Sequence, residues 1–285
     1  MPEPRVTFLM PLKYYREDFL RQALQSLLRQ TCPQWRLLIV VEPCDHATFV
    51  NLLDEELRDP RIELALMSGR PFTGSINTGM RRARTEFVAL FFADDLLADE
   101  TVRVLSDSIL THPEVDFFYS SRQAIDEDGR PLGSVRLSRE HFCLDDFKWG
   151  SPIKHLMCWR RELGLAVGGI DESLSKAPDD YDFPWTMAER GAVFKAVGEC
   201  LYFIRDHCAY YRRTTHIPLS VVKRGIRRIL QKHGIGFLTR YVIVTKRRRV
   251  SLGEQCIYRN AFDRWLKKLL RLDPRRSWRR PARPQ

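Results

Sequence analysis

Residues 87–95 read FVALFFADD, seven uncharged residues of strand length that stop on two adjacent carboxylates, Asp94 and Asp95. A run this apolar, with Val and three Phe, predicts a strand buried on both faces of a parallel sheet. The two acids then stand at its carboxyl end, the edge along which open α/β sheets hold ligands. Side-by-side carboxylates repel each other unless they share a cation, and a hard divalent ion on oxygen ligands resolves that conflict. Three further acids, Asp179, Asp180 and Asp182, open a predicted helix that stops at Gly191. Acids also suit the positive end of any helix, so their position alone assigns no chemistry.

The elements that position these groups alternate regularly. Residues 5–10 predict a strand ending at Pro11, and a stripe of Phe19, Leu20, Ala23, Leu24, Leu27 and Leu28 predicts a helix over 18–29. Residues 36–41 form a second predicted strand that stops at Glu42, because Pro43 cannot extend it. A helix near 47–57, a strand at 62–67 and a helix at 75–84 lead to the strand at 87–92. This β-α-β-α-β-α-β order predicts a mostly parallel central sheet flanked by helices on both faces. Neither G-x-G-x-x-G nor G-x-x-x-x-G-K-[ST] occurs, so the dinucleotide and P-loop signatures are absent. A helix over 99–111, a strand over 115–120 and a hairpin tip at 126–131 follow. Residues 137–154 mix charged, aromatic and Gly/Pro positions and predict loops over a cleft. A helix at 160–166 and a strand at 198–206 complete the alternation, the strand running into His207.

Composition bounds the rest. The chain has 285 residues and a net charge of +11, but residues 219–285 hold 20 Lys+Arg against 3 Asp+Glu, leaving the first 218 at −6. A mildly acidic body with a strongly basic tail points to an anionic partner for the tail. The seven cysteines include no C-x-x-C and no zinc spacing, which reads as reduced thiols of a cytoplasmic protein. No run reaches the ~20 apolar residues of a membrane span, and the first residues lack the apolar stretch of a signal peptide.

Taken together, these residues resemble the inverting glycosyltransferases of family 2, which have the GT-A fold. The resemblance runs from about Val6 to about Thr215. It is carried by S-L-L-R-Q-T ending the first helix, Asn77 and Gly79 in S-I-N-T-G-M-R-R-A, Phe92-Ala93-Asp94-Asp95 on the D-x-D region, Gly168-Gly169-Ile170-Asp171-Glu172, Asp179-Asp180, and His207 in Y-F-I-R-D-H. It implies a GT-A domain over 1–217, with a basic amphipathic helical extension over 218–273 and an Arg/Pro-rich disordered tail over 274–285. It also implies a nucleotide-sugar donor, expected to be a UDP-sugar, and Mg²⁺ or Mn²⁺ on Asp94, Asp95 and His207. Asp180, with Asp179 as its rival, falls where the family has its catalytic base. Pro11, Glu42, Asn77 and Asp94 fall on nucleotide-binding positions, and His155 and Trp149 are placed at the acceptor.

Three departures are visible. Phe92 stands where the first acid of D-x-D belongs, leaving the metal one usual ligand short. Glu42 is one methylene longer than the aspartate that reads uracil, and Pro43 replaces a second one, which leaves thymine or another base open. Lys13 and Tyr14 replace a tyrosine-asparagine pair. Two other readings follow from the residues: a catalytically inactive nucleotide-sugar binder, suggested by Phe92, and a basic-tail nucleic-acid binder, for which the acidic body offers no recognisable module.

In the tail, Ile257, Tyr258, Ala261, Phe262, Trp265, Leu266, Leu269 and Leu270 recur at helical spacing among Arg and Lys. That pattern predicts a helix within 252–272 lying on an anionic membrane surface, where a lipid-linked acceptor would be tethered. The expected location is the inner face of the cell membrane, with no nucleic acid as partner.

Overall fold

The computed structural model describes residues 3–13, 15–70, 72–153, 155–174, 179–207, 218–245, 247–252 and 255–260. Strands β1 (Val6–Pro11), β2 (Trp35–Val41), β3 (Ile62–Leu66) and β4 (Phe87–Leu90) lie parallel in the order β3-β2-β1-β4. In β1, β2 and β4 successive residues enter different cores, which is why these runs are mostly apolar instead of alternating, whereas edge strand β3 exposes Glu63 and Leu66. Phe8, Leu37, Ile39, Phe87 and Ala89 share one core with α1 (Glu17–Leu28), α2 (His46–Leu52) and α4 (Thr101–Thr111). Leu9, Leu38, Val40, Val88 and Leu90 share the other with Ile76 and Met80 of α3 (Thr73–Arg82) and Trp185 of α6 (Asp179–Glu189). Gly79 allows α3 its close approach, since a Cβ there would sit 2.9 Å from Leu9 Cδ2.

The other half of the nine-stranded sheet is mixed. β8 (Met157–Arg160) inserts antiparallel between β4 and β6 (Phe117–Ile125), and β9 (Phe194–Arg205) runs parallel to β6. β7 (Pro131–Arg136) folds back on β6, as the hairpin tip predicts. The short β5 (Leu96–Leu97), just after the acidic pair, joins the sheet against β9. β8 leads directly into α5 (Arg161–Ala166).

The helical extension expected at the C-terminus begins as helix α7 (Leu219–Lys232), whose Val222, Ile226, Ile229 and Leu230 belong to the same core as Leu9 and Val88. After α8 (Phe237–Thr245) comes a two-stranded antiparallel hairpin, β10 (Arg247–Leu252) and β11 (Gln255–Asn260), in which Val250 is abreast of Ile257. The expected helix over 252–272 is therefore corrected where it can be seen: Ile257 and Tyr258, β-branched and aromatic, sit on a paired strand, which suits both types. Residues 261–285 lie outside the described residues. Among the described residues no helix is long and apolar enough to cross a membrane.

Candidate active site

Four parallel strands point their carboxyl ends at one edge, and register aligns them there. Leu9 is abreast of Leu38 and of Leu90, and Pro11 of Val40. Pro11 closes β1, Glu42 follows β2, the N-terminus of α3 follows β3, and Asp94 follows β4. The antiparallel pairing Leu96↔Phe203 then draws the end of β9 alongside the acidic pair. His207, two residues beyond β9, consequently meets Asp94, with Nε2 3.0 Å from Oδ2. The His207 side chain is wholly buried against Phe19, whereas that of Asp94 keeps 36% of its surface exposed. This pair presents one open carboxylate backed by a buried imidazole.

Asp95, expected as a second metal ligand, faces inward. It is buried, and its Oδ1 accepts the backbone N–H of Arg205 at 2.8 Å. Arg205 is itself buried over the Phe19 ring and donates to the Asp94 carbonyl at 2.9 Å, the Glu127 carbonyl at 2.6 Å and Gln22 Oε1 at 2.7 Å. Burial lowers the Arg205 pKa although both aspartates pull the other way. Burial, reinforced by the Asp95 charge, holds the Tyr202 phenol well above its ordinary value, and the Tyr202 hydroxyl accepts the Phe92 N–H at 3.1 Å. Asp95, Arg205 and Tyr202 are the frame that fixes Asp94 at the rim.

Asn77, expected to face the nucleotide, is engaged with the 168–172 turn. Its Nδ2 donates to the Ile170 carbonyl (2.9 Å) and to Glu172 Oε1 (3.0 Å), and its Oδ1 accepts the Ile170 N–H (2.8 Å). The G-G-x-D-E turn is thus clasped by α3. Gly169, at φ +72°, is required there, since a Cβ would lie 2.5 Å from Asn77 Oδ1. Glu172 continues the clasp by accepting the Arg70 N–H at 2.8 Å, which ties the turn to the loop preceding α3. A cavity of about 360 Å³ opens beside this turn, lined by Asn77, Arg81, Asp171, Glu172 and Lys232, and Asp94 takes no part in it. Glu42 is half-buried and bound by Lys13 Nζ at 2.5 Å.

The profile of Glycosyl transferase family 2 matches residues 8–165. The chain belongs to this family. Over 208 residues it is 24% identical to the O-antigen biosynthesis protein RfbC of Myxococcus xanthus, covering 72% of this chain and 16% of that protein. An uncharacterized protein, y4gI, of Sinorhizobium fredii is 25% identical over 194 residues, covering 66% of this chain and 20% of that one. The chain thus spans about a fifth or less of the length of these relatives. Among solved structures, S. aureus TarS 1-349 in complex with UDP-GlcNAc superposes with a TM-score of 0.61 at 17% identity, covering 84% of this chain and 70% of that one. The mannosyltransferase PcManGT of Pyrobaculum calidifontis, in complex with GDP-Man and Mn²⁺, gives 0.57 at 18% identity, covering 86% and 69%. The GT-A fold of this family 2 chain is the α/β architecture expected from its sequence.

Within this family 2 site, Phe92 is part of an aromatic group. Its ring stacks on Phe72 at 6.0 Å and meets His155 edge-on at 5.3 Å, and His155 lies 5.6 Å from Tyr202. His155 therefore stands beside the D-x-D region. Trp149 is half-buried and packs against the α3-side core. Asp179 and Asp180 occupy the first turn of α6, and their side chains lie outside the described residues. Sequence reasoning set Asp182 aside as a helix-start charge. It is buried, with Oδ2 2.7 Å from Lys232 Nζ and Oδ1 3.0 Å from His233 Nε2. Its two partners, at the end of α7, were also missed, as was Arg205. A signal existed in the spacing of D-D-Y-D, where the third acid falls on the inward face of the helix.

Proposed function

We propose that this family 2 glycosyltransferase moves a sugar from a nucleotide-diphosphate donor, a UDP-sugar in the first instance, to a hydroxyl of a glycan or lipid-linked acceptor in cell-surface polysaccharide assembly, inverting the anomeric centre. The observation that carries the proposal is the half-open Asp94 carboxylate backed by buried His207 at the carboxyl edge of the parallel strands. The printed names of similar proteins, which include O-antigen biosynthesis, UDP-GlcNAc and GDP-Man with Mn²⁺, support the substrate class.

The residues fit a divalent ion. Asp94 and His207 bring an oxygen and a nitrogen donor to one point, while Phe92 adds none and Asp95 is turned inward. Two protein donors suit Mn²⁺ or Mg²⁺ that completes its shell with substrate phosphate. Bound there, the ion would neutralise charge on the departing diphosphate as a Lewis acid. Asp180, with Asp179 as the rival, takes the proton of the acceptor hydroxyl as general base while attack comes from the face opposite the diphosphate. Glu42, steadied by Lys13, meets the nucleotide base, and Pro11 lines the base side of the cleft. Asn77 acts at one remove by holding the 168–172 turn. His155 and Trp149 remain our acceptor-side residues. The basic C-terminal segment would hold the protein on the inner face of the cell membrane, against anionic lipid and with no nucleic acid as partner.

Phe92 favours a second reading, a nucleotide-sugar binder without turnover. One experiment separates the two: release of nucleoside diphosphate from UDP- and GDP-sugars, with Mn²⁺ and with EDTA, followed by NMR of the product anomer. Metal-dependent release with an inverted anomer, abolished in Asp180→Asn, supports transfer. A donor-induced thermal shift without turnover under any metal leaves the binder.

A further inference from the structure

The three most exposed large hydrophobic side chains among the described residues are Leu238 (77%), Phe237 (70%) and Tyr241 (58%). All three fall in the first turns of α8, at i, i+1 and i+4, and so share one helix face. The far end of the same helix is anchored, with Ile243 and Val244 buried in the body. Residues 219–245 carry six Lys and Arg and no Asp or Glu. On α7 the division is sharp: Val222, Ile226, Ile229 and Leu230 are buried, while Arg224, Arg227 and Arg228 are exposed. The two helices pack together, and Lys223 Nζ reaches the Thr245 carbonyl at 3.3 Å.

We propose that the α7–α8 pair is the membrane-contacting surface, with Phe237, Leu238 and Tyr241 entering the headgroup layer of an anionic bilayer and the α7 arginines meeting its phosphates. The inference rests on the peripheral-membrane reading above and moves the contact from the expected tail helix to these two helices. Charge selects the occupant. A second copy of this chain would bring the same cations face to face, which is repulsive. A polyanion in solution would satisfy the arginines but leave the apolar trio in water. An anionic leaflet takes both, since interfacial binding sums buried apolar area and attraction to acidic lipid.

The test uses the full chain and co-sedimentation with phosphatidylcholine vesicles, with and without phosphatidylglycerol. Binding is expected only with the acidic lipid. The double variant Phe237→Ser/Leu238→Ser should lose roughly tenfold or more in partitioning with an unchanged melting temperature, because neither side chain touches the core. In Phe237→Trp, brominated lipid should quench fluorescence beyond the wild-type level. If wild type binds acidic vesicles and the double variant binds equally without added quenching in Phe237→Trp, this surface is wrong and the peripheral reading stands on another segment. If wild type never sediments with vesicles, both are wrong. A concentration-dependent dimer abolished by the double variant would assign the face to a second copy and overturn the proposal. Nucleoside diphosphate release from soluble donor is measured alongside, so the fate of the transfer reading stays separate.

Discussion

Among the described residues, two aspartate–histidine pairs have nearly equal geometry, and they have different consequences. At the sheet edge Asp94 Oδ2 lies 3.0 Å from His207 Nε2, and at the α6–α7 junction Asp182 Oδ1 lies 3.0 Å from His233 Nε2. Each imidazole is buried on an aromatic ring, His207 on Phe19 at 5.3 Å and His233 flat on Trp185 at 4.0 Å. The carboxylates differ: Asp94 exposes 36% of its side chain and Asp182 only 3%. Asp182 is also saturated by Lys232, while Glu189 Oε2 lies 2.9 Å from the second ring nitrogen of His233. A buried carboxylate with every partner supplied by the protein is a joint, whereas one with 36% of its side chain open can take a ligand. Access decides between structure and chemistry here, because the residue types are the same.

That contrast can be broken first at Asp94. Asp94→Ala should cut donor turnover by about 10²–10³, the size of a lost Lewis-acid contribution of several kcal/mol, with little change in melting temperature. Full turnover with a large stability loss would make the rim pair the structural one. Asp182→Ala should do the reverse. It removes the carboxylate that Lys232 and His233 share, leaving them only Asp171 and Glu189, and should cost about 3 kcal/mol in urea unfolding, at the low end for a buried pair because Lys232 reaches water. An unchanged midpoint would show that the junction is not a joint.

The junction also makes a statement about pH. Burial opposes the charge on Asp171, but hydrogen bonds from Ser173 and Lys232 outweigh it and hold the carboxyl below its ordinary value. Burial likewise opposes the Lys232 charge, and Asp182 and Asp171 outweigh it and raise the ammonium above its ordinary value. A lowered acid stabilises above its unfolded pKa and loses that contribution as pH falls. A raised base stabilises below its unfolded pKa and loses it as pH rises through the folded value. The melting-temperature difference between wild type and Lys232→Met should therefore be flat from about pH 6 to 9 and shrink on both sides. A difference that grew with alkalinity would contradict the pairing. The smallest effect is expected of Phe92→Asp, which restores an acid beside Asp94 and should raise Mn²⁺ affinity several-fold by calorimetry. No change there would mean that the aromatic group keeps position 92 out of reach of the ion.

Periodicity made the parallel half legible, since strands such as RLLIVV and FVAL, buried on both faces, and the α1 stripe leave little choice. β8 escaped because four residues, MCWR, pressed between a loop segment and a helix carry no period of their own. Among the expected site residues, Asp94 and His207 meet. Asp95 turns inward onto Arg205, and nothing local in a pair of adjacent acids says which one does so. The clasp made by Asn77 was not legible because its partner, the Ile170 backbone, lies 93 residues away. The tail shows the limit of helical spacing as a signal: Ile257 and Tyr258 fit a helix stripe and a strand equally well, and the pairing with β10 decides.

The grip of α7 on α6 also bears on where this protein can be shortened. The family match ends at residue 165, and a cut near 217 would look like a clean removal of a cationic extra. It would instead leave Asp182 facing an emptied socket, uncover the ring of Trp185 and strip Ile226 and Ile229 from the layer over the sheet. The shortest self-sufficient polypeptide is expected to run at least through His233.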